Sequence, residues 1–107
     1  MTDCIVVLVT VASKEEGERI AHTLVHDQLA ACVNILSPIQ SIYRWEGKIQ
    51  NDVELLLMIK TRRALFEDLS ARIRALHSYE SPEVIALPIV AGVESYLGWI
   101  RDATTQG

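Results

Sequence analysis

The sequence predicts an α+β fold with the element order β-α-β-β-α-β and an added C-terminal helix, the ferredoxin-like or split βαβ pattern. Three observations carry that reading. Four extended apolar runs alternate with segments of helical period, with no repeat, low-complexity tract or Gly/Ser linker between them. The prolines that fall within strands, Pro38 and Pro88, lie in the second and fourth runs. The fold orders its strands 4-1-3-2 and puts those two at the edges, where a missing N–H breaks no central ladder. Finally, the first and third runs are apolar on both faces, as central strands covered on both sides are.

Each element follows from its residues. Cys4 to Val11, "CIVVLVTV", is β-branched and almost continuously apolar, which marks the first strand. Ser13 with Glu16 three residues on is a capping box, and the helix it opens runs to about Gln28. That helix is expected to bury Ile20, Ala21, Leu24 and Val25. Leu29 to Leu36 begins the second strand, which continues past Pro38 as "IQSIYRW". Glu46-Gly47 supplies a turn, and the third strand returns through Ile49 to Thr61, making a long hairpin. The second helix is placed at Arg62 to Leu76, with Leu65, Phe66, Leu69, Ile73 and Leu76 on one face. "EVIALPIV" is the fourth strand, and a short last helix directs Val93, Tyr96, Leu97 and Ile100 inward.

At 107 residues, half of them apolar, the chain reads as one globular domain over residues 1–107. A net charge of −4 argues against nucleic acid, whose binders need clustered Lys and Arg to displace counterions. The N-terminal stretch has no basic region, and the Ile5 to Val9 run is too short to span a bilayer, so no membrane association is expected. Cys4 and Cys32 form neither a C-x-x-C pair nor a disulfide framework. With a strand between them they are too far apart to bridge, and reduced thiols fit a cytoplasmic protein.

Helices on one face leave the other uncovered. Leu56 and Met58 of the third strand and Val6 and Leu8 of the first would form an apolar patch there, shared with Glu54 and Lys60. Another copy of the chain is the plainest cover, so an obligate oligomer is expected.

The candidates for chemistry each have a plain structural reading. His22 and His26 lie one turn apart on the solvent side of the first helix, with no third ligand nearby, and read as surface residues. Cys32, in "AACVN", is either a small core residue or a soft metal ligand if a second ligand arrives from elsewhere. Lys60 needs an anionic partner, for which Glu54, Glu80 and Glu83 are candidates. Tyr43 and Trp45 share one hairpin face and either pack on a neighbouring subunit or line a cleft. "HSYESPE", His77 to Glu83, sets a histidine and two carboxylates around Pro82. Those groups can bind a metal or move protons, or they simply lead a helix into a strand. No clear nucleophile or oxyanion site accompanies them, so no enzymatic activity is expected.

Together "LAACVNI", "SIYRWEGKI", "ELLLMIKT", "HSYESPEVIALPI" and "YLGWI" resemble, in order and spacing, the CutA divalent-cation tolerance proteins. The resemblance implies a compact homotrimer of ferredoxin-like chains, similar in architecture to the PII-type signalling proteins. It also implies binding of copper, as Cu(II), or another divalent cation in clefts between subunits, with no obligatory cofactor and no established reaction. Carried over by match, Cys32, His77 and Glu80 are the expected metal ligands, provided the trimer brings them together. Tyr43, Trp45, Lys60, Tyr79 and Glu83 are the expected lining of the inter-subunit cleft. A PII-like regulatory module binding a small metabolite or anion there is the alternative. Two departures stand out. Ser78 replaces the proline of the usual H-P-Y-E, and Val9 stands where some relatives carry a cysteine.

Overall fold

A computed structural model describes residues 2–105. The elements are β1 (Cys4–Val11), α1 (Lys14–His26), β2 (Cys32–Trp45), β3 (Lys48–Arg62), a 3-10 turn at Arg63–Leu65, α2 (Phe66–Leu76), β4 (Val84–Pro88) and α3 (Glu94–Ala103). The strands form one antiparallel sheet in the order β2-β3-β1-β4, the predicted order read from its other edge. Both strand prolines fall where the ladder tolerates them. Pro88 ends the edge strand β4, and Pro38 sits in a register shift between Leu36 and Ile39 of the other edge strand, β2. Trp45 pairs with Lys48 around a two-residue turn in which Glu46 (φ 50°) and Gly47 (φ 78°) are both left-handed, the pair a tight hairpin needs.

Three boundaries shift for identifiable reasons. β3 continues through Arg62, because Arg62 pairs with Cys4 and its guanidinium donates to the Thr104 hydroxyl and carbonyl, each over 2.9 Å. The second helix therefore starts at Phe66 after the 3-10 turn, not at Arg62. β2 starts at Cys32; Leu29 to Ala31 form a buried lead-in, with the Ala31 N–H donating to the Lys60 carbonyl over 2.9 Å. α1 stops at His26, where the chain passes into a left-handed Gln28 (φ 59°).

The main core lies between one sheet face and the two long helices. Val7, Val9, Val11, Leu57 and Ile59 meet Ile20, Leu24, Leu69 and Ile73, all of them fully buried. Val25 is not part of it. It stands about 100° round from Leu24 and is exposed, correcting the expected α1 face.

α3 packs on the opposite sheet face and covers only its Cys4 end, through Leu97 and Ile100 against Cys4 and Ala31. Of the residues expected inward on the last helix, only those two are buried; Tyr96 and the N-cap residue Val93 are exposed, because the helix meets the sheet through Leu97 and Ile100. Farther along that face Val6, Leu8, Leu56 and Met58 are half-buried, and Leu36, Ile85 and Leu87 are exposed. The hairpin extends beyond the helices and exposes Ile42, Ile49 and Val53 at 65–69 %. Both cysteines are free, with β3 between their strands. Among the described residues no helix is long and apolar enough to cross a membrane.

Candidate functional site

α2 ends at His77, and the chain turns across the Val11 end of β1 toward β4. Side chains hold that turn. The His77 ring is fully buried; its Nε2 donates to the Thr10 carbonyl over 2.7 Å, and its Nδ1 accepts the Tyr79 N–H over 3.0 Å. Glu16, from the first turn of α1, lies beneath. Its Oε1 accepts from the Ala12 N–H (3.3 Å), and its Oε2 accepts from the Ser78 N–H (2.6 Å) and lies 3.5 Å from His77 Nδ1. Burial pushes the Glu16 carboxyl up, but the bonds from Ser78 and Ala12, with the His77 ring beside it, outweigh burial and hold it below its ordinary value. The Tyr79 ring packs 4.7 Å from that of His77, and its hydroxyl donates to Glu54 over 2.8 Å. Burial first, and the Glu54 carboxylate second, push the Tyr79 hydroxyl well above the ordinary tyrosine range.

Between this turn and the base of the hairpin lies a cleft of about 750 Å³. Its walls carry Tyr43 and Trp45 from β2, Glu54 from β3, and Tyr79, Glu80 and Glu83 from the turn. Tyr43 donates to the Asp52 carboxylate, which raises its own hydroxyl. No lysine, arginine or histidine lines the cleft. With three carboxylates and no basic group, such a surface attracts cations and repels anions.

Five residues expected at the cleft or metal site, Tyr43, Trp45, Tyr79, Glu80 and Glu83, are thus brought together. Three are not. Lys60 shares a sheet face with Glu54 but stands six residues away along β3, roughly 20 Å, and its ammonium is bonded to Asn34. Within one chain it therefore pairs with none of Glu54, Glu80 and Glu83. Cys32 is opposite Lys60 in the β2–β3 register, with its Sγ 3.8 Å from Asn34 Oδ1, and so shares that distant end. His77 has both ring nitrogens engaged at the back of the cleft. Cys32, His77 and Glu80 do not meet within one chain, because register fixes the first and hydrogen bonds fix the second. Among the described residues no group of three or more His, Cys, Asp or Glu is placed to hold a metal ion.

The histidines of α1 are surface residues, as their spacing suggested. His26 Nδ1 lies 3.1 Å from Asp27, which also pairs with Arg72 in a shallow groove between α1 and α2. Two residues important to the cleft have roles that their local sequence does not show: Glu16 sits in a capping box, and Glu54 shares a strand face with Lys60. The capping box did predict the Ser13 contact, with the Glu16 N–H donating to Ser13 Oγ over 3.2 Å. Nothing local could indicate that the carboxylate of Glu16 reaches a residue 62 positions later.

Comparisons with known proteins agree with this architecture. The family model described as CutA1 divalent ion tolerance protein matches residues 5–103. The chain is 52% identical over 100 residues to "Protein CutA, chloroplastic" of Arabidopsis thaliana, covering 94% of this chain and 55% of that protein, so it spans about half of that plant relative. It is 50% identical over 99 residues to the "Divalent-cation tolerance protein CutA" of Thermus thermophilus, covering 92% of this chain and 96% of that one. The solved structure of the Thermus thermophilus protein superposes with a TM-score of 0.94 at 49% identity, over 95% of this chain and 99% of that chain.

Proposed function

Because the chain belongs to the CutA1 divalent ion tolerance family, we propose that it binds a divalent cation in the acidic cleft, as a homotrimer whose neighbouring copy completes the ligand set. The observation that carries this reading is the lining, in which Glu54, Glu80 and Glu83 stand along one cavity and no basic residue is among the described lining residues. Carboxylate oxygens suit divalent ions, Cu(II) among them, better than soft Cu(I), which favours thiolates. Glu54 already accepts from Tyr79, so Glu80 and Glu83, both exposed, are the ligands one chain offers. Two carboxylates leave a divalent ion under-coordinated, so water or a second chain must supply the rest. Cys32 enters the set only where a neighbouring copy carries its β2 end to this cleft.

The half-covered sheet face and the apolar hairpin surface support an oligomer, since a monomer would leave both in water. The free thiols support a reducing compartment, most simply the cytoplasm. The role proposed is binding, with no reaction assigned. A PII-like module that holds an anionic metabolite there would need a cation from a neighbouring copy, since the lining contributed by one chain is acidic.

Calorimetric titration of the reduced protein with Cu(II) and with Mn(II) tests the reading. Saturable binding is expected, weakened about tenfold or more when Glu80 and Glu83 are both changed to Gln. Unchanged affinity in that double variant would place the ion elsewhere.

A further inference from the structure

We infer that Glu16 is a positioning residue for the cleft: from beneath, its buried carboxylate holds the backbone of Ser78 and so sets where Glu80 and Glu83 stand. A residue needed only to cap α1 could do so from the surface, where the N3 side chain of a capping box reaches back to the N-cap N–H. Glu16 instead is 5% exposed, and burying a carboxylate is costly unless donors surround it. The donors come from two segments far apart in sequence, the Ala12 N–H at 3.3 Å and the Ser78 N–H at 2.6 Å.

The ties that hold Ser78 and Tyr79 run through side chains. Ser78 hangs on Glu16, the Tyr79 N–H on His77 Nδ1, and the Tyr79 hydroxyl on Glu54. His77 is itself fixed by the Thr10 carbonyl. Immediately beyond this anchor, Glu80, Ser81 and Glu83 are exposed on the cleft wall. Releasing Glu16 therefore frees the segment that carries two of the three cleft carboxylates, while α1 keeps its cap at Ser13. The consequence for cation binding rests on the function proposed above; the tie itself does not.

Two variants isolate the tie. Glu16→Gln keeps the shape but can accept only one of the two N–H groups well, because its amide nitrogen is a donor. Glu16→Asp keeps the charge in the first turn of α1 but draws the carboxylate back by one methylene, out of reach of the Ser78 N–H. Amide hydrogen exchange by NMR on the metal-free full chain is the first readout. In Glu16→Gln the Ser78 and Tyr79 amides should exchange about tenfold faster, while the interior amides of β1 and β3 stay as in wild type. Glu16→Asp should accelerate the same two amides alike, and it serves if Glu16→Gln does not fold.

Mn(II) titration is the second readout, with the dissociation constant expected to rise about tenfold in either variant. Unchanged loop amides overturn the inference, and so does faster exchange without loss of Mn(II) affinity in a protein whose wild type binds Mn(II). A wild type that takes up no Mn(II) overturns the cation reading instead, and the exchange data then decide the tie alone.

Discussion

The Tyr79 hydroxyl donates to a Glu54 carboxylate oxygen across 2.8 Å, joining the turn after α2 to β3 at the inner wall of the cleft. Glu54 is 7% exposed, so the bond supplies a donor that a largely desolvated carboxylate needs. The same turn is held at its other end by Glu16. Two buried carboxylates thus grip one short segment, and the exposed carboxylates of Glu80 and Glu83 occupy the span that follows.

Replacing Tyr79 by Phe keeps the ring and removes the donor. The expected cost is about 1–3 kcal/mol, read from urea unfolding at pH 7. The pH dependence has a definite sign. The folded-state pKa of Tyr79 is raised above an unfolded value of about 10, so its contribution is whole below that pH and fades as pH climbs toward the folded value. The stability gap between wild type and Tyr79→Phe should therefore narrow above about pH 10. A gap that stays constant through that range would mean that folding does not raise the titration of the hydroxyl.

Glu16 behaves in the opposite way. Its folded-state pKa is depressed, so its contribution is complete above the unfolded value of about 4.3 and is lost as pH falls through the folded one. Glu16→Gln should be least stable relative to wild type near neutrality, with the two converging below about pH 4. Urea midpoints measured from pH 7 down to pH 3 check this, and a parallel fall of both proteins would refute it.

The strand order was legible because proline placement and two-faced apolar runs are local facts with topological consequences. Pro38 and Pro88 mark edges wherever the helices lie. Boundaries set by tertiary contacts were not legible: Arg62 looks helical until Thr104 and Cys4 hold it in the sheet. The cleft was half legible. Tyr43 and Trp45 share a face by strand period, and Glu80 and Glu83 are close in sequence. That these groups face one cavity with Glu54, and that Lys60 does not, depends on the hairpin register and on how the turn is anchored. His77 looked like a ligand because its residue type is suited to metals; only its two hydrogen bonds reveal an anchor.

In the core, Leu57 is fully buried beside Val11, where Gly17 of α1 approaches the sheet. Leu57→Ala should cost about 2–5 kcal/mol, measured by chemical denaturation. The close approach depends on Gly17, where an added Cβ would lie 3.2 Å from Val11 Cγ2 and 3.4 Å from Leu57 Cδ2. Gly17→Ala should then be tolerated better in a Val11→Ala background than in wild type, with a coupling of about 0.5 kcal/mol or more. Strict additivity of the two changes would show that Val11 does not limit the approach.

The hairpin gives the test of assembly. Register puts Ile42, Ile49 and Val53 on one hairpin face, and all three stand in solvent in the single chain. Apolar groups this exposed, on a hairpin extending past its own helices, find cover only against another molecule. Sedimentation of the wild type should give three times the mass of one chain. Ile49→Glu combined with Val53→Glu would put two charges into the proposed contact, where desolvation is costly without a partner. That variant should sediment as a lighter species and bind cation more weakly, because the cleft then lacks the neighbouring copy's ligands. A variant that stays fully assembled would move the contact to the sheet face around Leu36, Ile85 and Leu87 or to the surface around Val93 and Tyr96.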